Sequence, residues 1–106
     1  MFNPARAFID KLIGHGCPQA KTTCMTPQNQ RVFVDGFLAV VAGDFFVAHT
    51  CGLLDIHTPR VGLLTCSTRV TIGNRGVALA GNLFPLDCLD SIEKSIEKPS
   101  RVFIGI

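Results

Sequence analysis

Short stretches in which β-branched residues recur at every second position are the first regular feature of this chain. Three such pairs stand out: Val32 and Val34, Val70 and Ile72, and Val102 and Ile104. This period of two is typical of half-buried β-strands. Residues that tolerate a positive φ follow the first two pairs, at Asp35-Gly36 and Gly73-Asn74, as a tight turn requires. Each stretch therefore predicts a β-hairpin, and the fold class we expect is mainly β.

Helix signals are weak. The segment 90–98 is compatible with about two helical turns, in which Ser91 is the N-cap and Pro99 is the stop. The alternative is a loop that flanks a strand.

The same pattern forms an internal repeat. Residues 31–44 align without a gap to residues 69–82, with Arg, Val, Ala and Gly at the same places. A third copy begins at residues 101–105, and its missing second half is found at the other end of the chain, where residues 5–10 align with residues 39–44. A split repeat predicts a closed ring with pseudo-threefold symmetry, in which the C-terminal strand pairs with the N-terminal strand.

Length and composition restrict the class of protein. A chain of 106 residues has room for one domain with one core. The net charge of +2 is too small to indicate nucleic-acid binding by electrostatics. Hydrophobic residues make up 47% and charged residues 17%, which excludes disorder and leads us to expect that some apolar surface meets a partner.

Targeting signals are not found. The longest apolar stretch, residues 37–43, is far short of the roughly 18–20 residues that span a bilayer. Arg6 and Asp10 interrupt the N-terminal apolar pieces, so that no signal peptide is predicted. We therefore expect synthesis in the cytoplasm.

The five cysteines are an odd number, and no Cys-x-x-Cys pair occurs. Without a secretory signal, reduced thiols are expected. Metal binding is then the more specific role that we expect for at least one of these cysteines. Cys24 and Cys66 fall outside the repeat register, and we expect them to be small buried hydrophobic residues.

The repeat register predicts a metal site. In each unit a ligand-type side chain follows the Asp or Asn that ends the repeat: His15 five residues after Asp10, His49 five after Asp44, and Cys88 six after Asn82. Equivalent positions of a threefold ring lie around one axis, so these three side chains are expected to converge. His57, from the excursion 50–64, would complete a set of three imidazoles and one thiolate, which suits tetrahedral zinc.

Two other cysteines are rival ligands, because Cys17 and Cys51 each lie two residues from a histidine of this set. Iron is an alternative to zinc. Four protein ligands indicate a closed, structural site, whereas a catalytic zinc keeps an open position. The common catalytic motifs are missing from the sequence, and we do not expect an enzyme.

These motifs resemble the PAAR-repeat family, the tip proteins of contractile injection machines. Pro4-Ala-Arg-Ala7 is a degenerate form of the Pro-Ala-Ala-Arg motif. The better match is the recurring Val-x-Val/Ile frame with its Gly-Asp end, together with the ligand neighbourhoods Gly14-His15-Gly16, Ala48-His49-Thr-Cys51, His57 before Val61-Gly62, and Cys88-Leu-Asp90. The resemblance covers nearly the whole chain.

The resemblance implies a sharp cone whose apex is fastened by zinc on His15, His49, His57 and Cys88. It also implies that the base sits on the blunt end of a trimeric β-helical spike, one copy per trimer, and that sheath contraction drives the tip into the target envelope. The spike would be the valine-glycine-repeat protein of type VI secretion or the central spike of a phage baseplate; the eroded motifs favour a phage. Residues 1–106 form one tip domain, with no effector extension expected.

Three arginines, Arg31, Arg69 and Arg101, occupy equivalent strand positions of the repeat and would form a triangle. They are either solvated strand residues or anchors to acidic or carbonyl groups of the partner near the base. Two other functions stay open: a stand-alone zinc-binding interaction module, and a small zinc hydrolase.

Overall fold

A computed structural model describes residues 2–13, 22–51, 55–62, 66–80, 91–93 and 98–104 of the chain. The described residues are mainly β, as the sequence predicts, and contain no helix. The strands are β1 (Asn3–Pro4), β2 (Lys11–Ile13), β3 (Phe33–Val34), β4 (Phe37–Leu38), β5 (His49–Cys51), β6 (Asp55–His57), β7 (Cys66–Ile72), β8 (Arg75–Ala80) and β9 (Ser91–Glu93). All strand pairs are antiparallel: β1, β8 and β7 form a three-stranded sheet in that order, and β2–β9, β3–β4 and β5–β6 form two-stranded ribbons.

Two hairpins share one register. In β3–β4, Val34 lies opposite Phe37, and in β7–β8, Ile72 lies opposite Arg75. Both central turn residues have a positive φ in each hairpin, with values of 53° and 87° at Asp35-Gly36 and 57° and 65° at Gly73-Asn74. A positive φ at both positions defines the type I′ turn, whose twist matches that of the flanking strands. The two hairpins predicted at these turns are therefore confirmed.

The two ends of the chain pair with each other. The Phe2 N–H donates to the Ile104 carbonyl at 2.9 Å, and the Ile104 N–H donates to the Phe2 carbonyl at 2.7 Å. The Asn3 side-chain amide adds a hydrogen bond to the Val102 carbonyl at 2.8 Å. The predicted pairing of the C-terminal segment with the N-terminal one is seen at these residues, and its direction is antiparallel.

A closed circuit of three backbone hydrogen bonds lies at the centre of the molecule. Ala5 N–H donates to the Ala78 carbonyl at 2.8 Å, Ala78 N–H to the Val40 carbonyl at 2.8 Å, and Val40 N–H to the Ala5 carbonyl at 3.0 Å. All three residues are completely buried. Three antiparallel residue pairs of matching register surround the circuit: Arg6 with Ala39, Val41 with Val77, and Pro4 with Leu79.

The circuit differs by one residue from the ungapped alignment, which matches Ala5 with Ala39 instead of Val40. The cause is the turn that follows the strand. Asp10 Oδ2 accepts the Arg6 N–H at 2.8 Å, four residues back, whereas Asp44 Oδ2 accepts the Val41 N–H at 2.9 Å, only three residues back. The first of these turns thus holds one extra residue, and an alignment without gaps cannot represent it.

The core contains small and β-branched side chains, which the close approach of the strands requires. Its buried members are Ala5, Ala7, Cys24, Val40, Phe46, Val61, Cys66, Ala78, Ala80 and Ile92.

The helix predicted over residues 90–98 is wrong at 91–93, where the chain is strand β9. Leu12 and Ile92 face each other in the register of β2 and β9, and Ile92 is buried. Burying one apolar residue in a ladder outweighs the weak helical pattern. Residues 94–97 lie outside the described residues.

Candidate metal centre and docking face

Strands β5 and β6 bring two of the four predicted metal ligands together. His49 lies directly opposite His57 in the antiparallel register, next to the pairs Thr50–Ile56 and Cys51–Asp55. Directly opposite positions of an antiparallel pair share a face of the ribbon and are the nearest cross-strand neighbours. The backbone therefore puts two imidazole-bearing residues side by side, although 8 residues separate them in the sequence.

The other two predicted ligands, His15 and Cys88, lie outside the described residues, as does the rival Cys17. Cys51, the second rival, is on β5, opposite Asp55. Among the described residues no group of three or more His, Cys, Asp or Glu side chains lies close enough to hold a metal ion. The pairing of His49 with His57 is the part of the predicted site that the described backbone assembles.

Cys24 and Cys66 are buried, free cysteines, as predicted. Burial, and secondly the negative charge of Asp44, raise the pKa of the Cys24 thiol to about 11 and that of Cys66 to about 12. A metal ligand has to be a thiolate, which these surroundings disfavour. Both side chains therefore behave as small apolar core residues.

The three predicted partner-binding arginines, Arg31, Arg69 and Arg101, are all exposed. Arg69 lies within strand β7, whereas Arg31 lies two residues before β3 and Arg101 lies outside the named strands. Each has its backbone N–H held by a side-chain oxygen: Arg31 by Asn29 Oδ1 at 3.0 Å, Arg69 by Ser67 Oγ at 3.1 Å, and Arg101 by Asp35 Oδ1 at 3.3 Å. The acceptor lies two residues earlier in the chain for Arg31 and Arg69, so these two arginines follow similar local turns.

The residue after each arginine is an exposed valine. Val32, Val70 and Val102 expose 42%, 37% and 37% of their surface. The alternation in the sequence predicts these positions as half-buried strand residues, but only the second member of each pair packs inward: Val34 is buried, and Ile72 and Ile104 are partly buried. The backbone N–H groups of the three valines are accepted by side-chain oxygens of Asn29, Ser67 and Ser100.

A buried ion pair, which sequence reasoning missed, ties this region to the chain ends. The fully buried Arg6 guanidinium donates to both carboxylate oxygens of Asp10, at 2.9 and 3.0 Å. It also donates to Asp35 Oδ2 at 3.2 Å and to the Lys98 carbonyl at 2.6 Å. Burial alone would lower the pKa of Arg6, but the carboxylates of Asp10 and Asp35 outweigh it and raise that pKa above its ordinary value. The signal in the sequence was Arg6 and Asp10 at a spacing of four residues.

Asp35 links the turn of β3–β4 to the C-terminal segment. Ser100 Oγ donates to Asp35 Oδ2 at 2.7 Å, and the Arg101 N–H donates to Asp35 Oδ1. The hydrogen bond from Ser100 is the largest cause that lowers the pKa of Asp35, and the Arg101 N–H and the charge of Arg6 add to it against the opposing effect of burial. Asp35 is therefore held as a carboxylate that joins the turn of β3–β4 to the segment 100–101.

Comparison with protein-family models, with curated proteins and with solved structures gave no match for this chain. The resemblance to PAAR-repeat proteins accordingly rests on the motifs of the sequence. No helix long and apolar enough to cross a membrane is found in the part of the chain that the structure describes.

Proposed function

We propose that this chain is a pseudo-threefold, cone-shaped spike tip: a structural protein that caps a trimeric β-helical spike of a contractile injection machine and carries a structural zinc ion at its apex. The observation that carries the proposal is the circuit of hydrogen bonds from Ala5 to Ala78, from Ala78 to Val40 and from Val40 back to Ala5. A single chain that closes on itself in three like steps offers three like contacts, and the end of a trimer offers three identical ones.

The exposed arginine–valine pairs support a docking face on this ring. Arg31-Val32, Arg69-Val70 and Arg101-Val102 occupy matching places in the sequence repeat, and all six residues are exposed. Exposed apolar residues that recur in one pattern indicate a surface that meets a partner. In the complex, the valines would be covered by apolar residues of the spike, and the guanidinium groups would meet acidic or carbonyl groups at its end.

The register of His49 and His57 supports the zinc site. Two histidines in directly opposite places of an antiparallel ribbon can share one metal ion, and His15 and Cys88 are the residues we propose to complete the set. Zinc would supply no reaction here. Its binding free energy would add to the free energy of folding of a small β domain whose core is limited.

Such a tip acts mechanically. A rigid point fixed to the spike concentrates the force of sheath contraction on a small area of the target envelope. Rigidity would come from the closed circuit, from the paired ends and from the metal.

Native mass spectrometry of the chain, mixed with the trimeric β-helical spike protein encoded by the same genome, tests the proposal. One copy of this chain per spike trimer is expected. Three copies per trimer would contradict the pseudo-threefold cap, and no complex together with retained zinc would favour a stand-alone zinc-binding module.

Variants make the same experiment specific to the docking face. Replacing Val32, Val70 and Val102 together by Asp should abolish the complex while the circular dichroism spectrum stays that of the parent. Val47→Asp is the matched control, because Val47 is equally exposed, at 42%, and lies outside the three pairs. If the control weakens binding as much as the triple variant does, the docking face has been placed wrongly.

A further inference from the structure

A cavity of about 510 Å³ opens between the turn of β7–β8 and the segments 42–43 and 60–62. Its charged and polar lining comes from Arg60, Arg75 and Asn74, and Gly43 and Gly62 leave the backbone uncovered beside them. A cavity of this size lies in the range of roughly 300–1,000 Å³ that small-molecule sites occupy. Two guanidinium groups, those of Arg60 and Arg75, line this one cavity.

Arg75 is held in place rather than left free to sweep through solvent. Its Nη1 donates to the Ala42 carbonyl at 3.1 Å. A Cβ at Gly43 would lie only 2.7 Å from this Nη1 atom, so the arginine reaches its position because residue 43 is a glycine. Gly43 also has a φ of +91°, a conformation that glycine adopts without strain.

The positions that correspond to Arg75 in the other two repeat units carry a different type of side chain. Arg75 lies opposite Ile72, just as Phe37 lies opposite Val34 and Phe2 lies opposite Ile104. Two of these three corresponding positions are therefore phenylalanine and one is arginine.

Gly43 has a counterpart as well, namely Phe8. Both residues have a positive φ, +91° and +73°, and each follows an alanine that donates its N–H to the neighbouring strand, Ala42 to Gly76 and Ala7 to Leu38. The ungapped alignment also matches Gly81 with Gly43, so glycine recurs in the repeat, whereas arginine stands at residue 75 where residues 2 and 37 are phenylalanine. A symmetric trimer does not require this arginine, so its presence needs another explanation.

The electrostatics of the cavity favour an anion. None of the described residues that line it is acidic. The nearest carboxylate along the chain, Asp44, is buried, and its oxygens accept the N–H groups of Gln28 and Val41, both at 2.9 Å. Guanidinium groups bind phosphate oxygens in a bidentate manner.

We propose that this cavity binds the phosphate group of a phosphorylated ligand through Arg75 and Arg60, with Asn74 beside it for a neighbouring hydroxyl. The volume exceeds what a lone phosphate fills, so a phosphate carried on a larger polar body fits best. A soluble sugar phosphate and a phosphate-bearing lipid headgroup share this chemistry. The proposal goes beyond the spike-tip function and does not depend on it.

Isothermal titration calorimetry with glucose 6-phosphate tests the proposal, with inorganic phosphate and glucose as separate probes. Saturable binding of the sugar phosphate is expected, weaker binding of inorganic phosphate, and none of glucose. Arg75→Gln and Arg60→Gln should each weaken binding about tenfold, as the loss of a charge-assisted contact predicts. Lys11→Gln is the matched control, because Lys11 is exposed but does not line the cavity, and the affinity of this variant should stay that of the parent.

Two further measurements complete the test. Amide NMR shifts of Gly43, Gly62 and Gly76 should move during the titration. Cosedimentation with vesicles that contain phosphatidic acid identifies the source: binding that Arg75→Gln abolishes assigns a lipid headgroup, and binding of the sugar phosphate without vesicle binding assigns a soluble ligand. Failure to bind either probe, or equal losses in Arg75→Gln and Lys11→Gln, would overturn the proposal.

Discussion

Arg6 and Asp10 form a bidentate ion pair in which neither residue is exposed to solvent. Asp10 stabilises the fold through two contacts, because the carboxylate that pairs with the Arg6 guanidinium also accepts the Arg6 backbone N–H. Arg6 in turn reaches Asp35 in the turn of β3–β4 and the Lys98 carbonyl near the C-terminus. One buried side chain thus joins three parts of the chain that are far apart in sequence.

Breaking this pair from one side should be costly. In Asp10→Asn the guanidinium stays buried with less compensating charge, and we expect the free energy of unfolding to fall by about 3–5 kcal/mol. Urea denaturation followed by circular dichroism measures the loss.

The double variant Arg6→Met/Asp10→Asn is the control, since it removes the buried charge as well and keeps an acceptor for the Arg6 N–H. It should be more stable than Asp10→Asn alone. If the double variant is less stable than the single one, the buried charge is not the source of the loss.

Asp35 predicts a dependence of stability on pH. Its pKa is lower in the folded chain than in the unfolded chain, so its contribution to stability is complete above the unfolded pKa and is lost as the pH falls through the folded pKa. Asp35→Asn removes the charge but suits the positive φ of 53° at this turn position. Melting temperatures of parent and variant should therefore differ at pH 7, and the difference should begin to shrink near about pH 4 and vanish only below the lowered pKa of folded Asp35. A difference that stays constant down to pH 2 would contradict this role.

The hairpins were predictable because their signals are local. Asp35-Gly36 and Gly73-Asn74 are two-residue turn sequences between apolar runs, and they form the type I′ turns that such residues favour. The split repeat predicted that the two ends pair, and they do so at Phe2 and Ile104. These inferences need only the order of residues along the chain.

Other features depend on packing and could not be predicted. The turn before Asp10 holds one extra residue, so the residue that corresponds to Ala5 in the hydrogen-bond circuit is Val40 instead of Ala39. An alignment without gaps cannot detect this shift. The burial of Ile92 turns a weak helical pattern into strand β9. The approach of Arg75 to Gly43 joins positions 32 residues apart in the sequence, and nothing local marks it.

Gly76 provides a test of how tightly β7 and β8 are packed. A Cβ at this position would lie 2.5 Å from the Ser67 carbonyl oxygen and 3.0 Å from Cys66 Cβ. Gly76→Ala should therefore force the two strands apart and destabilise the protein by about 1–3 kcal/mol, as overpacking does.

Gly62→Ala is the matched control, because no atom lies within 4 Å of an added Cβ there. Its stability should equal or slightly exceed that of the parent, since alanine restricts the unfolded chain. Differential scanning calorimetry compares the three proteins. Equal melting temperatures for the two variants would show that the strands accommodate the extra methyl group.

The last prediction concerns the metal. If His49 and His57 share a zinc ion with His15 and Cys88, the freshly purified protein should contain about one zinc per chain, and folding and metal binding should be linked. Plasma emission spectrometry measures the metal content. Replacing His49 and His57 together by Ala should remove most of the zinc, and Cys88→Ser should weaken its retention. Cys24→Ser is the control, because the buried Cys24 thiol has its pKa raised to about 11 and should not bind the metal.

Removal of the metal by a strong chelator at mildly acidic pH, where histidine ligands are protonated, should lower the melting temperature sharply in the parent but not in the variant that lacks both histidines. Equal zinc retention in Cys88→Ser and Cys24→Ser would show that the wrong cysteine has been chosen, and less than about half an equivalent of any transition metal in the parent would contradict the stoichiometry of a structural site.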